Sequence, residues 1–263
     1  MGAEVTVIEM LPKIAATLDG QVGRNLDRLL RKQGLAIRTK TRVTTAKTTA
    51  KQVKVTVADG KGSEVLRFDR LLVAVGRRPN SMDLGLEDLG VALDENFQTN
   101  VAGIYAIGDL VRGPALAHKA SSEGTAAVEC IAGRAFDGNY DAIPAVVYTW
   151  PAAASVGLTE EAVKAQGIPY CVGRFPFSGA GRARCMGKSE GFVKLIAHGK
   201  ADRIIGVHII GPRTADMIAE SALALEFGAS SEDIARTVHG HPSFSEALME
   251  AALAVRKCSI YAS

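Results

Sequence analysis

The sequence predicts a mixed architecture, an α/β portion followed by an α+β portion, on three observations. A β-branched run closing on an acid, Ala3-Glu-Val-Thr-Val-Ile-Glu9, leads into a helical pattern with Val22, Leu26, Leu29 and Leu30 on one face. A second apolar run, Gly103-Ile-Tyr-Ala-Ile-Gly-Asp109, delivers an acid at its end and feeds another helical stretch that reaches about Cys130. From Ile143 onward the composition turns to shorter strands and loops, antiparallel strands first and helices behind. These are partial Rossmann-type nucleotide-binding units followed by an antiparallel sheet with helices.

In chain order, the first strand is expected over Ala3 to Glu9, and Asp19 opens a helix that Gly34 ends. In a dinucleotide-binding unit the acid closing this strand bonds the adenosine ribose hydroxyls, so Glu9 is the candidate and NAD the favoured cofactor over a 2′-phosphorylated one; as a bare residue it is a strand-end glutamate in solvent. The glycine fingerprint that precedes such an acid by about twenty residues is not in the sequence. Further strands are expected around Ala36 to Thr39 and Gln52 to Val57, with a turn at Asp59-Gly60, and Phe68 to Val75 reads as a buried apolar strand. The segment Gly103 to Asp109 reads as a buried strand whose terminal carboxylate can accept from a ribityl hydroxyl, Gly108 allowing the close approach. Strands are then expected within Gly187 to Ala197 and over Ile204 to Gly211, a helix over Thr214 to Phe227, and a capped helix after Ser230-Ser-Glu-Asp233.

The chain has 263 residues, 47% hydrophobic and 22% charged, enough for real cores. A net charge of +3 without basic runs argues against nucleic acid as a partner, and no apolar run approaches the roughly 20 residues a membrane helix needs. The cytoplasm is the expected compartment. Cys130, Cys171, Cys185 and Cys258 are widely spaced, so neither a metal site nor a local redox disulfide is encoded. Gly181 to Ser189 imitates a phosphate loop but has one residue too many between its glycines. His198 and His208 sit in or beside apolar strand sequence and read as structural.

The stretch Thr237-Val-His-Gly-His-Pro-Ser-Phe-Ser-Glu-Ala247 concentrates the chemistry. Pro242 keeps His241 out of the α region, so the ring projects from a turn. Ser243 can cap a helix from Ser245 to Lys257, with Glu246 in its first turn. Two readings of Glu246 stand side by side: a carboxylate that holds one ring nitrogen of His241 and frees the other for acid/base work, or a capping-box residue that bonds back to its own helix start.

His-Gly-His-Pro-Ser-Phe-Ser-Glu resembles the C-terminal signature of the dihydrolipoyl dehydrogenase family of flavoprotein disulfide reductases, class I pyridine nucleotide-disulfide oxidoreductases. The resemblance implies that His241 is the acid/base for the thiols, that Glu246 orients it, and that His239 supports it. Val73-Ala-Val-Gly-Arg-Arg-Pro-Asn80 resembles the family's exit from the NAD domain, where Gly76 admits the nicotinamide, and Val43 matches a position near the adenine. The Gly103 to Asp109 run with Gly113-Pro-Ala-Leu-Ala-His-Lys-Ala-Ser-Ser-Glu-Gly124 resembles the family's second FAD-contacting segment, which places Asp109, Ala115, Leu116, Ala117 and His118 at the flavin. The helix beyond would direct its positive end toward the isoalloxazine. The first histidine of the signature favours this family over glutathione reductase, and Cys258 alone does not make the C-terminal cysteine pair of mercuric reductase.

The resemblance further implies three divisions: 1–77, a partial NAD-binding domain; 78–142, the C-terminal segment of an FAD-binding domain; and 143–263, a dimerisation domain. It implies a homodimer in which His241 reaches the partner subunit's disulfide. The implied reaction is oxidation of dihydrolipoamide on a lipoyl-bearing protein of a 2-oxo acid dehydrogenase or glycine cleavage complex. The sequence departs from the family in three ways. The redox cysteine pair and FAD phosphate loop are not in it, Ala152 stands where a glutamate is usual, and a hairpin looks deleted between Asp94 and Thr99. The expectation is therefore the C-terminal portion of such an enzyme; a non-catalytic dimerisation or assembly module is the alternative.

Overall fold

The computed structural model describes residues 2–80, 97–136 and 138–261. They form two compact units, Met1–Leu72 with Pro144–Ser263, and Val73–Ile143.

In the first unit, β1 (Thr6–Ile8) pairs in parallel with β2 (Ala36–Arg38) across helix α1 (Gly20–Lys32). The expected apolar stripe of α1 is what it buries: Val22, Leu26 and Leu29 pack with Ile14, Leu18 and Ile37, and also with Ala153, Phe192 and Ile210 of the chain's later half. Asp19 caps the helix by accepting from the Gln21 amide at 2.9 Å. A three-stranded meander follows, β3 (Arg42–Thr48), β4 (Val53–Asp59) and β5 (Gly62–Phe68). β3 was expected only as connecting sequence; it is exposed along its whole length, so no burial alternation marks it.

The buried strand expected over Phe68 to Val75 does not form. Phe68 closes β5, and beyond it the chain runs without secondary structure, with Leu72 87% and Val75 91% exposed. A buried strand must pair its N–H and C=O groups, and no described strand lies beside this segment to take them.

The antiparallel sheet expected after Ile143 is present, with strand order β6-β7-β10-β9-β8 in the numbering used here. Its members are β6 (Ala145–Val147), β7 (Ala152–Gly157), β8 (Tyr170–Pro176), β9 (Phe192–His198) and β10 (Ile204–Gly211). Leu195, Ile196, Val207, Ile209 and Ile210 in its middle are fully buried. Between these strands and after them run α3 (Glu160–Ala165), α4 (Gly181–Cys185), α5 (Thr214–Glu226), α6 (Ser231–Arg236) and α7 (Glu246–Val255), numbered to follow α2 of the second unit. Helix α5 covers β7 and β10, and α7 covers β8 and β9. The seat of α7 depends on Gly173, since a Cβ there would stand 1.9 Å from the Ala251 carbonyl. Ser230 and Asp233 form the expected capping box of α6.

The second unit is built on α2 (Ala117–Ile131), whose Ala126 and Ala127 pack with Phe97 and Phe136. Here the buried strand expected over Gly103 to Asp109 is instead a local hairpin and a turn. Thr99 donates to the Ile104 carbonyl and Ala106 to Phe97, and the chain then enters a single 3₁₀ turn, Gly108–Leu110. Positive φ at Gly103 (82°) and Gly108 (74°) breaks the extended run at both ends. Of the expected deletion, Asp94 to Asn96 lie outside the described residues.

Candidate functional site

The turn before α7 is set by packing and by one carboxylate. Phe244 stacks edge-on against buried Phe177 at 6.1 Å, which fixes the chain between the His241–Pro242 peptide, cis in this structure, and the helix start. Glu246 then divides its oxygens. Oε1 accepts from His241 Nδ1 at 2.7 Å, and Oε2 accepts from the Ser243 amide at 2.6 Å. Ser243 Oγ accepts in return from the Glu246 amide at 3.4 Å, although the helix N-cap itself is Ser245. The hydrogen bonds that the two readings of Glu246 call for are both present, one on each oxygen. Burial pushes the Glu246 carboxyl up, but the Ser243 amide and His241 outweigh it and the net direction is down.

With Nδ1–H committed to Glu246, Nε2 is the nitrogen that carries the exchangeable lone pair, and the ring is 72% exposed. His239 is different. Its Nδ1 donates to the Thr237 carbonyl and its Nε2 to Glu220 Oε1, each at 2.8 Å, and its side chain is only 5% exposed. Two acceptors on one ring favour the imidazolium, and Glu220 raises the His239 pKa against the opposing effect of burial. A cleft of about 490 Å³ opens beside the turn, lined by Pro242, Ser243 and Phe244 with Arg182, Met186 and Arg213.

The nucleotide candidates fall in both units. Glu9 follows β1 directly, and its Oε1 accepts from the Leu11 amide at 2.8 Å. Val43 lies in β3 opposite Val57. Gly76 adopts φ of 113° in the second unit, and its neighbour Arg77 reaches Asp109 at 3.1 Å. Leu116 is the N-cap of α2 and makes no side-chain cap bond; Ala115 lies just before it, and Ala117 and His118 open the helix. The sequence reading missed Arg77, and it missed the buried pair Lys119 and Glu123, whose i, i+4 spacing on an alanine-rich helix was the available signal. His208 is structural as expected: it is wholly buried, Nε2 donates to the Leu158 carbonyl at 2.9 Å, and burial lowers its pKa. Among the described residues no cluster of His, Cys, Asp and Glu is arranged to hold a metal ion.

Residues 1–124 match the family described as pyridine nucleotide-disulphide oxidoreductase, and residues 143–252 match that family's dimerisation domain. The chain belongs to this family. It is 46% identical over 97% of its length to the mitochondrial dihydrolipoyl dehydrogenase of Pisum sativum, covering 53% of that protein. It is equally identical, over 97% of its length, to the human mitochondrial enzyme, covering 52% of it. The crystal structure of LpdA from Mycobacterium tuberculosis superposes on 95% of the chain with a TM-score of 0.86 at 25% identity, and 56% of that protein is covered. The chain spans about half the length of the curated relatives it matches. No helix among the described residues is long and apolar enough to cross a membrane.

Proposed function

We propose that this chain is the C-terminal portion of a dihydrolipoyl dehydrogenase and supplies its acid/base pair. The observation that carries the reading is the single Glu246 carboxylate, which fixes the His241 tautomer through Oε1 while Oε2 anchors it to the Ser243 amide. A base held this way presents Nε2 at a constant angle from a turn that is itself packed. In the proposed step a dihydrolipoyl S–H proton moves to His241 Nε2. The thiolate sulfur attacks one sulfur of the partner subunit's disulfide, breaking that S–S bond and leaving a mixed disulfide and a thiolate. Glu246 stabilises the imidazolium that results.

Contacts to both cofactors belong to the proposal. Asp109, Ala115, Leu116, Ala117 and His118 are the residues proposed to contact the flavin; Glu9 and Val43, and separately Gly76, are those proposed to contact NAD. Bound FAD and NAD would carry away the two electrons released by the dithiol. The division into 1–77, 78–142 and 143–263, the homodimer through the last of these, the lipoyl-bearing partner and the cytoplasmic compartment belong to the same proposal.

The test is reconstitution with a second chain carrying the remaining half of a relative. Recovered flavin binding and NADH-dependent lipoamide turnover are expected, the turnover strongly lowered by His241→Gln; recovery of neither sinks the reading. The assembly-module alternative draws on the completeness of the five-stranded sheet and its helices. It requires that a His241→Gln/Glu246→Gln variant lose nothing measurable.

A further inference from the structure

The Gly108–Leu110 turn is held by a buried ion pair that the acid/base chemistry does not use. Lys119 and Glu123, one turn apart on α2, are each only 2% exposed. Glu123 Oε2 accepts from the Gly108 amide at 2.7 Å, and Lys119 Nζ donates to the Gly108 carbonyl at 3.0 Å. Both backbone groups of one residue therefore end on the two members of the pair, which bond each other at 2.8 Å. Tyr140 closes the arrangement, donating to Glu123 Oε1 at 2.6 Å, and burial together with that carboxylate pushes its phenol up to about 12. A side chain at Gly108 would be strained by the φ of 74° there and would crowd Ala120, which a Cβ would approach to 3.1 Å. The next residue is Asp109, whose carboxylate is partly exposed.

A surface turn does not need this much buried charge to persist. A pair desolvated this deeply is a weak source of stability and is suited to fixing one geometry among several. The geometry assigns Lys119, Glu123 and Tyr140 as positioning residues that set the Asp109 carboxylate for a ribityl hydroxyl. This assignment rests on the reading of Asp109 as a flavin contact.

The test has two readouts on the same variants. Amide exchange of the chain alone follows residues 105–112 in the parent, in Tyr140→Phe, and in the charge-free pair Lys119→Met/Glu123→Gln, which leaves no buried charge uncompensated. Exchange at Gly108 and Asp109 should rise at least tenfold in the paired variant and less in Tyr140→Phe, with exchange in β9 and β10 unchanged. Exchange that stays at the parent value overturns the inference, whatever happens with flavin. FAD affinity by fluorescence quenching, with the visible band of the bound flavin, is then read on the reconstituted two-chain protein, with Asp109→Asn as reference. Weakening of at least tenfold and the same band shift in Asp109→Asn and in the paired variant support the assignment. Weakening in Asp109→Asn alone overturns it. Parent-like binding in Asp109→Asn overturns the flavin reading beneath it, and the assignment falls with it.

Discussion

Lys194→Met tests how α1 is attached to the later sheet. Lys194 stands in β9 at zero exposure and bonds Asp19 at 2.7 Å and Glu160 at 2.6 Å. Asp19 is also wholly buried, caps α1, and accepts from the Glu160 amide at 3.2 Å, so one carboxylate ties a helix start, a strand and the α3 start together. Methionine matches the lysine in length and leaves no cavity of consequence, so the effect is electrostatic. Removing one member of a buried pair costs about 3–5 kcal/mol, because the remaining charge is left uncompensated. Glu160 keeps Lys164 at 2.7 Å and Tyr170 at 3.0 Å, so the loss falls on Asp19 and belongs at the lower end, about 3–4 kcal/mol. For a chain of this size that lowers Tm by about 6–16 °C. Thermal unfolding by circular dichroism reads it, and Lys194→Met/Asp19→Asn should recover part of the loss because the stranded charge is gone. A Tm within about 1 °C of the parent would show that the tie does not stabilise the fold and would refute the reasoning.

Four further outcomes are expected. In the reconstituted enzyme, His241→Gln should lower kcat by about a hundred- to ten-thousand-fold and Glu246→Gln by less, measured as NADH-dependent lipoamide reduction. Glu160 is depressed to about 2, chiefly by Lys164 and then Lys194, so its contribution is present above pH 4.5 and is lost as pH falls toward 2; urea unfolding across that range should show the decline, reduced in Lys164→Met. His239 is raised, so its contribution is full below pH 6.5 and is lost as pH rises through the folded value, a loss that Glu220→Gln should remove from the same urea series. Gly173→Ala forces a methyl against the Ala251 carbonyl and should destabilise the chain by about 1–3 kcal/mol by urea unfolding, loosening the seat of α7.

The elements legible in the sequence were those whose pattern is written by burial on one face. Helix α1 shows its stripe and its Asp19 cap, and β9 and β10 are mostly apolar, interrupted at Lys194 and His208, because nearly every position in them is buried. The same signal misled at Leu71 to Val75, an apolar run with no described strand to pair with, because hydrophobicity reports a preference for burial and not the presence of a partner. It was silent at β3, whose exposed residues alternate with nothing. At Gly103 to Asp109 the apolar residues were read as a strand, but the glycines at each end decide the backbone there, through φ values that no periodicity encodes.

The site divides along the same line. The contact between His241 and Glu246 was legible because a short spacing, five residues across a proline, already restricts how far apart the two side chains can lie, while their roles come from the family resemblance. The second oxygen of Glu246 was legible only as a competing reading, since a sequence names the carboxylate once and a structure counts its two acceptors. That count has a consequence for substitution. Asp at position 246 would keep the charge but shorten the reach by one methylene. It could then serve the Ser243 amide or the His241 ring but not both at hydrogen-bond distance. Glu246→Asp should therefore separate helix capping from imidazole orientation: unfolding by urea near the parent value with a lowered kcat means the shorter side chain kept the amide, and the reverse pair of results means it kept the ring. A variant equal to the parent in both would show that neither oxygen is needed where the geometry places it.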